Sequence, residues 1–197
     1  MTRVLATGFE PFDGGSVNPS QRLVEALAAD PPEGVELETA VLPVAYARAA
    51  DELRAALRSA NPDRVVCFGQ ADGRTGISIE RFAHNLDDRT KIDNEGASSG
   101  TEIDPAGPVA YRSSLPVDEL VEQLRAAGIP AAVSHDAGGF LCNHVFYALM
   151  RELEHHPGAA GGFVHVPLLP EQALEQSVPS MTLDTLVRAA RVIVGSV

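Results

Sequence analysis

The run Pro130-Ala131-Ala132-Val133-Ser134-His135-Asp136-Ala137-Gly138-Gly139-Phe140-Leu141-Cys142-Asn143-His144-Val145-Phe146-Tyr147 carries the clearest structural message in the chain. A strand ends near Ser134. Two adjacent glycines then permit a tight backbone path. A helix starts near Cys142, with Val145, Phe146, Leu149, Met150 and Leu153 along its apolar side. A strand that passes through a glycine turn into an amphipathic helix is a building unit of α/β proteins.

Outward from that unit the same alternation continues. Strand-like apolar runs span Val4 to Thr7, Val35 to Val44, Arg64 to Gly69, Ile77 to Phe82, Ala131 to Ser134 and Gly162 to Val166. Asn18-Pro19-Ser20 reads as a helix start, followed by Leu23, Val24, Leu27 and Ala28 on one face. A second stripe runs Tyr46, Ala49, Ala50, Leu53, Ala56, Leu57. A third runs Val117, Leu120, Val121, Leu124 and stops at Gly128 and Pro130. A fourth runs Leu183, Leu186, Val187, Ala190. The expectation is a single-domain three-layer α/β/α sandwich over residues 1–197, with a largely parallel, open, twisted sheet. Residues 85–115 break the pattern. They are rich in Asp, Gly, Ser and Pro, and read equally as a functional or mobile segment and as an exposed or oligomer-contacting excursion.

The chain has 197 residues, 45% of them hydrophobic, enough for one sizeable core. Its formal net charge of -12 repels phosphate backbones and anionic lipid, which argues against nucleic-acid and membrane partners. The first eight residues read as a buried strand and not as a secretory leader, and no apolar run is long enough to cross a bilayer. Two cysteines, Cys67 and Cys142, suggest free thiols in a reducing cytoplasm.

A cysteine at a helix start meets unpaired N–H groups and the positive end of the helix dipole. Both favour a thiolate and can hold an oxyanion. The competing reading, a small buried hydrophobe, is favoured slightly by position alone. Cys67 lies inside the strand Arg64-Val65-Val66-Cys67-Phe68-Gly69 and reads as core.

A nucleophile of this kind needs a base and a group that orients the base. Of the six histidines, His155 and His156 close the helix after Cys142, where a solvated role suffices. Glu152 and His156 have metal-ligand spacing, but two ligands make a weak site. His144 points away from Cys142 on a helix, and His135 is a loop residue. His165, in Gly161-Gly162-Phe163-Val164-His165-Val166-Pro167, emerges near a strand end and is the most suggestive; a buried histidine bonded to backbone is nonetheless the reading that its position alone favours. Glu80, within Ile77-Ser78-Ile79-Glu80-Arg81-Phe82, is either an orienting acid or the partner of Arg81. The loop Thr7-Gly8-Phe9-Glu10-Pro11-Phe12-Asp13-Gly14-Gly15 lacks a phosphate-binding glycine pattern. It offers two phenylalanines that line a pocket or pack beneath the loop.

Taken together, several stretches resemble the pyroglutamyl peptidase I family of cysteine peptidases, also called pyrrolidone-carboxylate peptidases. They are Thr7-Gly8-Phe9-Glu10-Pro11-Phe12, Asn18-Pro19-Ser20, Gly69-Gln70-Ala71, Glu80-Arg81 with Asn85-Leu86, and Asp93-Asn94-Glu95-Gly96. Then follow Phe140-Leu141-Cys142-Asn143-His144, Gly162-Phe163-Val164-His165-Val166-Pro167 and Pro170-Glu171-Gln172. The resemblance implies Cys142 as nucleophile, His165 as base and later acid, and Glu80 as orienter. It implies a substrate pocket from Phe9, Phe12, Gln70 and backbone near Leu141. It further implies removal of N-terminal pyroglutamyl residues from peptides, no metal or cofactor, and a homotetramer.

Three departures stand out. Thr90 occupies the position of a family arginine, so Arg89 is its expected substitute near the oxyanion. Gly139 replaces a usual threonine, and His135-Asp136 is also atypical. The alternatives are a binding relative with reduced or no activity, and another cysteine amidohydrolase. The latter class usually places glycines directly around its nucleophile, which Leu141-Cys142-Asn143 lacks.

Overall fold

The computed structural model describes residues 1–174 and 177–197. In chain order the elements are β1 (Thr2–Phe9), α1 (Pro19–Ala29), β2 (Val35–Leu42), α2 (Ala49–Ala60), β3 (Arg64–Gln70), β4 (Ile77–Glu80) and β5 (Phe82–His84). There follow β6 (Ala110–Arg112), α3 (Val117–Ala126), β7 (Ala131–Ser134), α4 (Leu141–Leu153), β8 (Ala160–Val166), a 3-10 turn (Pro170–Gln172) and α5 (Leu183–Ser196). Helix α1 starts as its sequence dictates: Asn18 caps it by accepting from the Ser20 N–H, with Pro19 in the first turn.

Six strands form the main sheet in the order β2-β1-β3-β8-β4-β7. Strand alternation sorts the side chains onto two faces. Val4, Ala6, Val66, Phe68, Ile77, Ile79, Val164 and Val166 pack in one core with residues of α1, α3 and α5. Leu5, Val65, Cys67 and Phe163 pack in a second core with residues of α2 and α4. The result is the expected α/β/α sandwich, with the polar residues Ser78, Glu80 and His165 on the same face as Cys67 and Phe163.

One junction runs against the rest. β1, β2, β3 and β8 are parallel, whereas β4 meets β8 antiparallel, with Ser78 opposite His165 and Ile79 opposite Val164. Residues 71–76 are too few for the crossover that a parallel pair requires, so β4 enters the sheet from the end at which β3 leaves it. β7 pairs parallel with β4 and shares its reversed sense. Cys142 is therefore not placed by the carboxyl end of its preceding strand. Residues 135–140 return the chain to the carboxyl ends of β3 and β8, and α4 starts there.

The apolar run from Ile77 to Phe82 is not one strand. It breaks at Arg81, and β5 leaves to form a two-stranded antiparallel ladder with β6. That ladder closes the excursion, which is irregular between its two strands but firmly tied. Asn143, fully buried in the first turn of α4, accepts from the His84 N–H at 2.8 Å and donates to the carbonyls of His84 and Leu86 at 2.8 and 3.1 Å. Asp93 accepts from the N–H groups of Tyr46, Glu95 and Ala97 at 2.8–2.9 Å. Tyr46 itself precedes α2 and is not part of that helix.

Replacing Asn143 by Ala should leave three part-buried backbone groups without their partner and cost about 1–3 kcal/mol in urea unfolding. A loss below about 1 kcal/mol would show that the excursion is held by something else.

Candidate active site

His165 is 4% exposed and lies between two partners. Its Nδ1 stands 2.8 Å from Glu80 Oε1. A carboxylate only accepts, so Nδ1 carries the proton and Nε2 is left free on the side of the nearby Cys142 thiol. Glu80 has no exposed surface and reaches His165 diagonally across the antiparallel junction. Burial opposes charge on the imidazole, yet Cys142 and Glu80 together outweigh it and push the His165 pKa up to about 9.

Cys142 is half-buried in the first turn of α4. No side chain caps that helix, so N–H groups of its first turn remain available beside the thiol. Space for the sulfur comes from Gly69: a Cβ there would lie 2.7 Å from Sγ and 2.7 Å from Phe163 Cζ. Cys67 behaves as a core residue. It is fully buried, and burial pushes its thiol up to about 12.

The thiol and imidazole open onto a cavity of about 410 Å³. Phe9, Phe12, Val44 and Leu141 supply apolar wall; Gln70 supplies an amide. The Phe9–Phe12 loop is braced from three sides. Ser20 Oγ accepts from the Phe9 N–H at 3.0 Å, and Asn18 donates to the Glu10 carbonyl at 3.0 Å. Glu10 in turn accepts from the Val44 N–H and from Asn94, which also donates to the Pro11 carbonyl. Gln70 donates to Asp72 at 2.8 Å and accepts from Gln172 at 3.1 Å, leaving one N–H and one lone pair for a ligand. Further aromatic packing runs from Phe12 to Phe140, to Tyr46 and to His144 at ring separations of 5.5–6.0 Å.

The proposed nucleophile, base and pocket residues thus line one cavity, with Glu80 buried behind the imidazole. Arg89 does not join them. The Asp88 N–H donates to the Gly139 carbonyl at 2.7 Å, and residues 88–91 form a turn closed by the Lys91 N–H and held by Asp88 Oδ1. That turn leaves Arg89 in a neighbouring hollow with His84 and Gly100 and sends Lys91 to the cavity instead. Two further side chains were not singled out by the sequence. Arg74 lines the cavity, and Asp87 receives His144 Nδ1 at 2.9 Å. Glu152 pairs with Arg54, and among the described residues no group of three or more His, Cys, Asp or Glu side chains could hold a metal.

The pyroglutamyl peptidase family model matches residues 2–197. The chain belongs to the pyroglutamyl peptidase family. It is 44% identical over 194 residues to the pyrrolidone-carboxylate peptidase of Bacillus amyloliquefaciens, covering 96% of this chain and 89% of that one. It is 44% identical over 198 residues to that of Streptomyces coelicolor, covering 100% and 92%. The crystal structure of pyroglutamyl peptidase I from Bacillus amyloliquefaciens superposes with a TM-score of 0.96 at 41% identity, over 100% of this chain and 96% of that one. A mutant pyrrolidone carboxyl peptidase from P. furiosus gives 0.93 at 36% identity, over 98% and 96%. Members as distant as the latter keep the same arrangement of layers.

The His165 environment has a consequence for stability. Its folded pKa of about 9 lies above the ordinary 6.5, so bound proton stabilises the fold fully below pH 6.5 and this contribution is lost as pH rises through about 9. The urea midpoint should fall across that window, and less so in Glu80→Gln, which removes one charge that holds the proton. Equal pH dependence in both proteins would contradict the pairing.

Proposed function

We propose that this protein is a cysteine exopeptidase that removes N-terminal pyroglutamyl residues from peptides through a thioester on Cys142. The observation that carries the reading is one imidazole bonded to Glu80 through Nδ1 and set beside the Cys142 thiol, both lining a cavity with phenylalanine walls.

The steps follow from that geometry. His165 Nε2 takes the thiol proton, and Sγ attacks the carbonyl carbon outside the lactam ring. The oxyanion faces the free N–H groups where α4 begins. As the C–N bond breaks, His165 returns the proton to the leaving amine. Water then attacks the thioester with His165 as base, releasing pyroglutamate and the thiol. Glu80 holds the imidazole with Nδ1–H inward throughout. The substrate ring is neutral, with one N–H and one C=O. Phe9 and Phe12 suit its faces, and the spare N–H and lone pair of Gln70, with backbone near Leu141, suit its polar edge. No carboxylate is required to recognise an α-ammonium. The complete Cys-His-Glu set favours turnover over binding alone.

We read residues 1–197 as one peptidase domain that works in the cytoplasm and assembles as a homotetramer. Two free cysteines suit a reducing compartment. Leu86, Ile92 and Val109 are 58–86% exposed on the excursion and suit burial against a second copy, which sedimentation velocity would read.

Wild-type protein should cleave a pyroglutamyl-amide fluorogenic substrate. Cys142→Ala should lower kcat/KM by at least about 10⁴-fold and Glu80→Gln by about 10²- to 10⁴-fold, with folding intact. Absence of cleavage by folded wild type across about pH 6–9 would overturn the assignment.

A further inference from the structure

Glu80 poses a problem that His165 solves only part of the time. The carboxylate is completely buried, and its Oε2 has no hydrogen-bond partner among the described residues. Such a charge is costly without a compensating one. His165 compensates it while protonated, but the imidazole is neutral after it has protonated the leaving amine and until it takes a proton from the attacking water. At that stage the buried carboxylate needs another cation.

Arg74 is placed to be that cation. It comes from the short connection between β3 and β4, and its Nη2 lies 3.7 Å from Glu80 Oε1. The same nitrogen lies 3.3 Å from Ser134 Oγ and 3.4 Å from the Asp136 carbonyl. Asp136 Oδ1 accepts from the Gly138 N–H at 2.8 Å, so the guanidinium also grips the turn that leads to the nucleophile. The neighbouring Arg81 is committed elsewhere, to Asp118 at 2.5 Å. The other charged or titratable groups around the pair are Cys142 beyond the imidazole, and Asp72, Lys91 and Asp136 in the cavity wall.

We infer that Arg74 is a positioning residue, which keeps Glu80 ionised throughout the cycle and so holds His165 in the Nδ1–H tautomer while clamping the Asp136 turn. A protonated Glu80 would donate to Nδ1. The imidazole would then carry its proton on Nε2, facing the thiol, and could not act as a base.

This inference rests on the peptidase reading, and two measurements separate them. One is the pH profile of pyroglutamyl-amide cleavage; the other, independent of any substrate, is the pH dependence of iodoacetamide alkylation at Cys142. Wild type, Arg74→Met, Arg74→Lys and the control Arg89→Ala are compared. Arg74→Met should lose about 10- to 100-fold in kcat with KM changed less than about threefold. The acid limb of both profiles should move up by about one pH unit. Arg74→Lys should restore most of that limb, and Arg89→Ala should match wild type. Should Arg74→Met prove unfolded, Arg74→Lys still decides, by a limb displaced in the same direction to a smaller extent. A wild type that shows no cleavage but an Arg74-dependent alkylation limb would refute the peptidase reading and support the role of Arg74. An unshifted limb in folded variants, with or without lost activity, would overturn it.

Discussion

The buried hydrogen bond from His165 to Glu80 joins two strands that run in opposite directions, and the site depends on that reversal. The connection of residues 71–76 forces β4 to enter beside β8 antiparallel. Ser78 then faces His165, and Glu80, two residues on, projects from the same side of the sheet. A parallel β4 would carry a different register and a different neighbour for the imidazole. The alternation of apolar residues reinforces the choice. Ile77, Ile79, Val164 and Val166 occupy the opposite core, so a one-residue slip would bury Glu80 among α3 and α5 side chains.

Around that bond, scaffolding and chemistry use the same residues. Asn143, next to the nucleophile, spends its amide on anchoring the excursion. Asn94, within the excursion, braces the loop that carries Phe9 and Phe12. Gln172, after β8, fixes the carbonyl of Gln70. The irregular segment is thus tied at its base to α4 and near its middle to the N-terminal loop, which places both walls of the cavity relative to the thiol. Gly69 supplies what no side chain can, room for Sγ against the sheet.

Most of the layer architecture was legible in the chain, because strand and helix periods are local properties. β1, β3, β7 and β8 fall where their apolar runs lie, and Asn18-Pro19 starts its helix. The apolar run through Phe82 concealed a break, since alternation continues although the backbone changes sheets at Arg81. The sense of β4 was available from the brevity of residues 71–76, a signal left unread. The site was harder. His165 and Glu80 stand 85 residues apart, and each alone fits an ordinary buried polar role. Only the family resemblance paired them. Arg89 was expected at the site from its neighbour's position, but a turn pinned through Asp88 presents Lys91 instead. Arg74 carries no local signal in the chain, because its partners Glu80, Ser134 and Asp136 are brought to it by the tertiary fold.

The chemistry comes down to a covalent bond at one sulfur. Wild-type protein mixed with excess pyroglutamyl ester and quenched in acid within the first turnovers should, in peptide-mapped mass spectra, carry one pyroglutamyl group as a thioester on Cys142. Cys67 should be unmodified. Rapid turnover with no adduct, or an adduct on Cys67 alone, would contradict it.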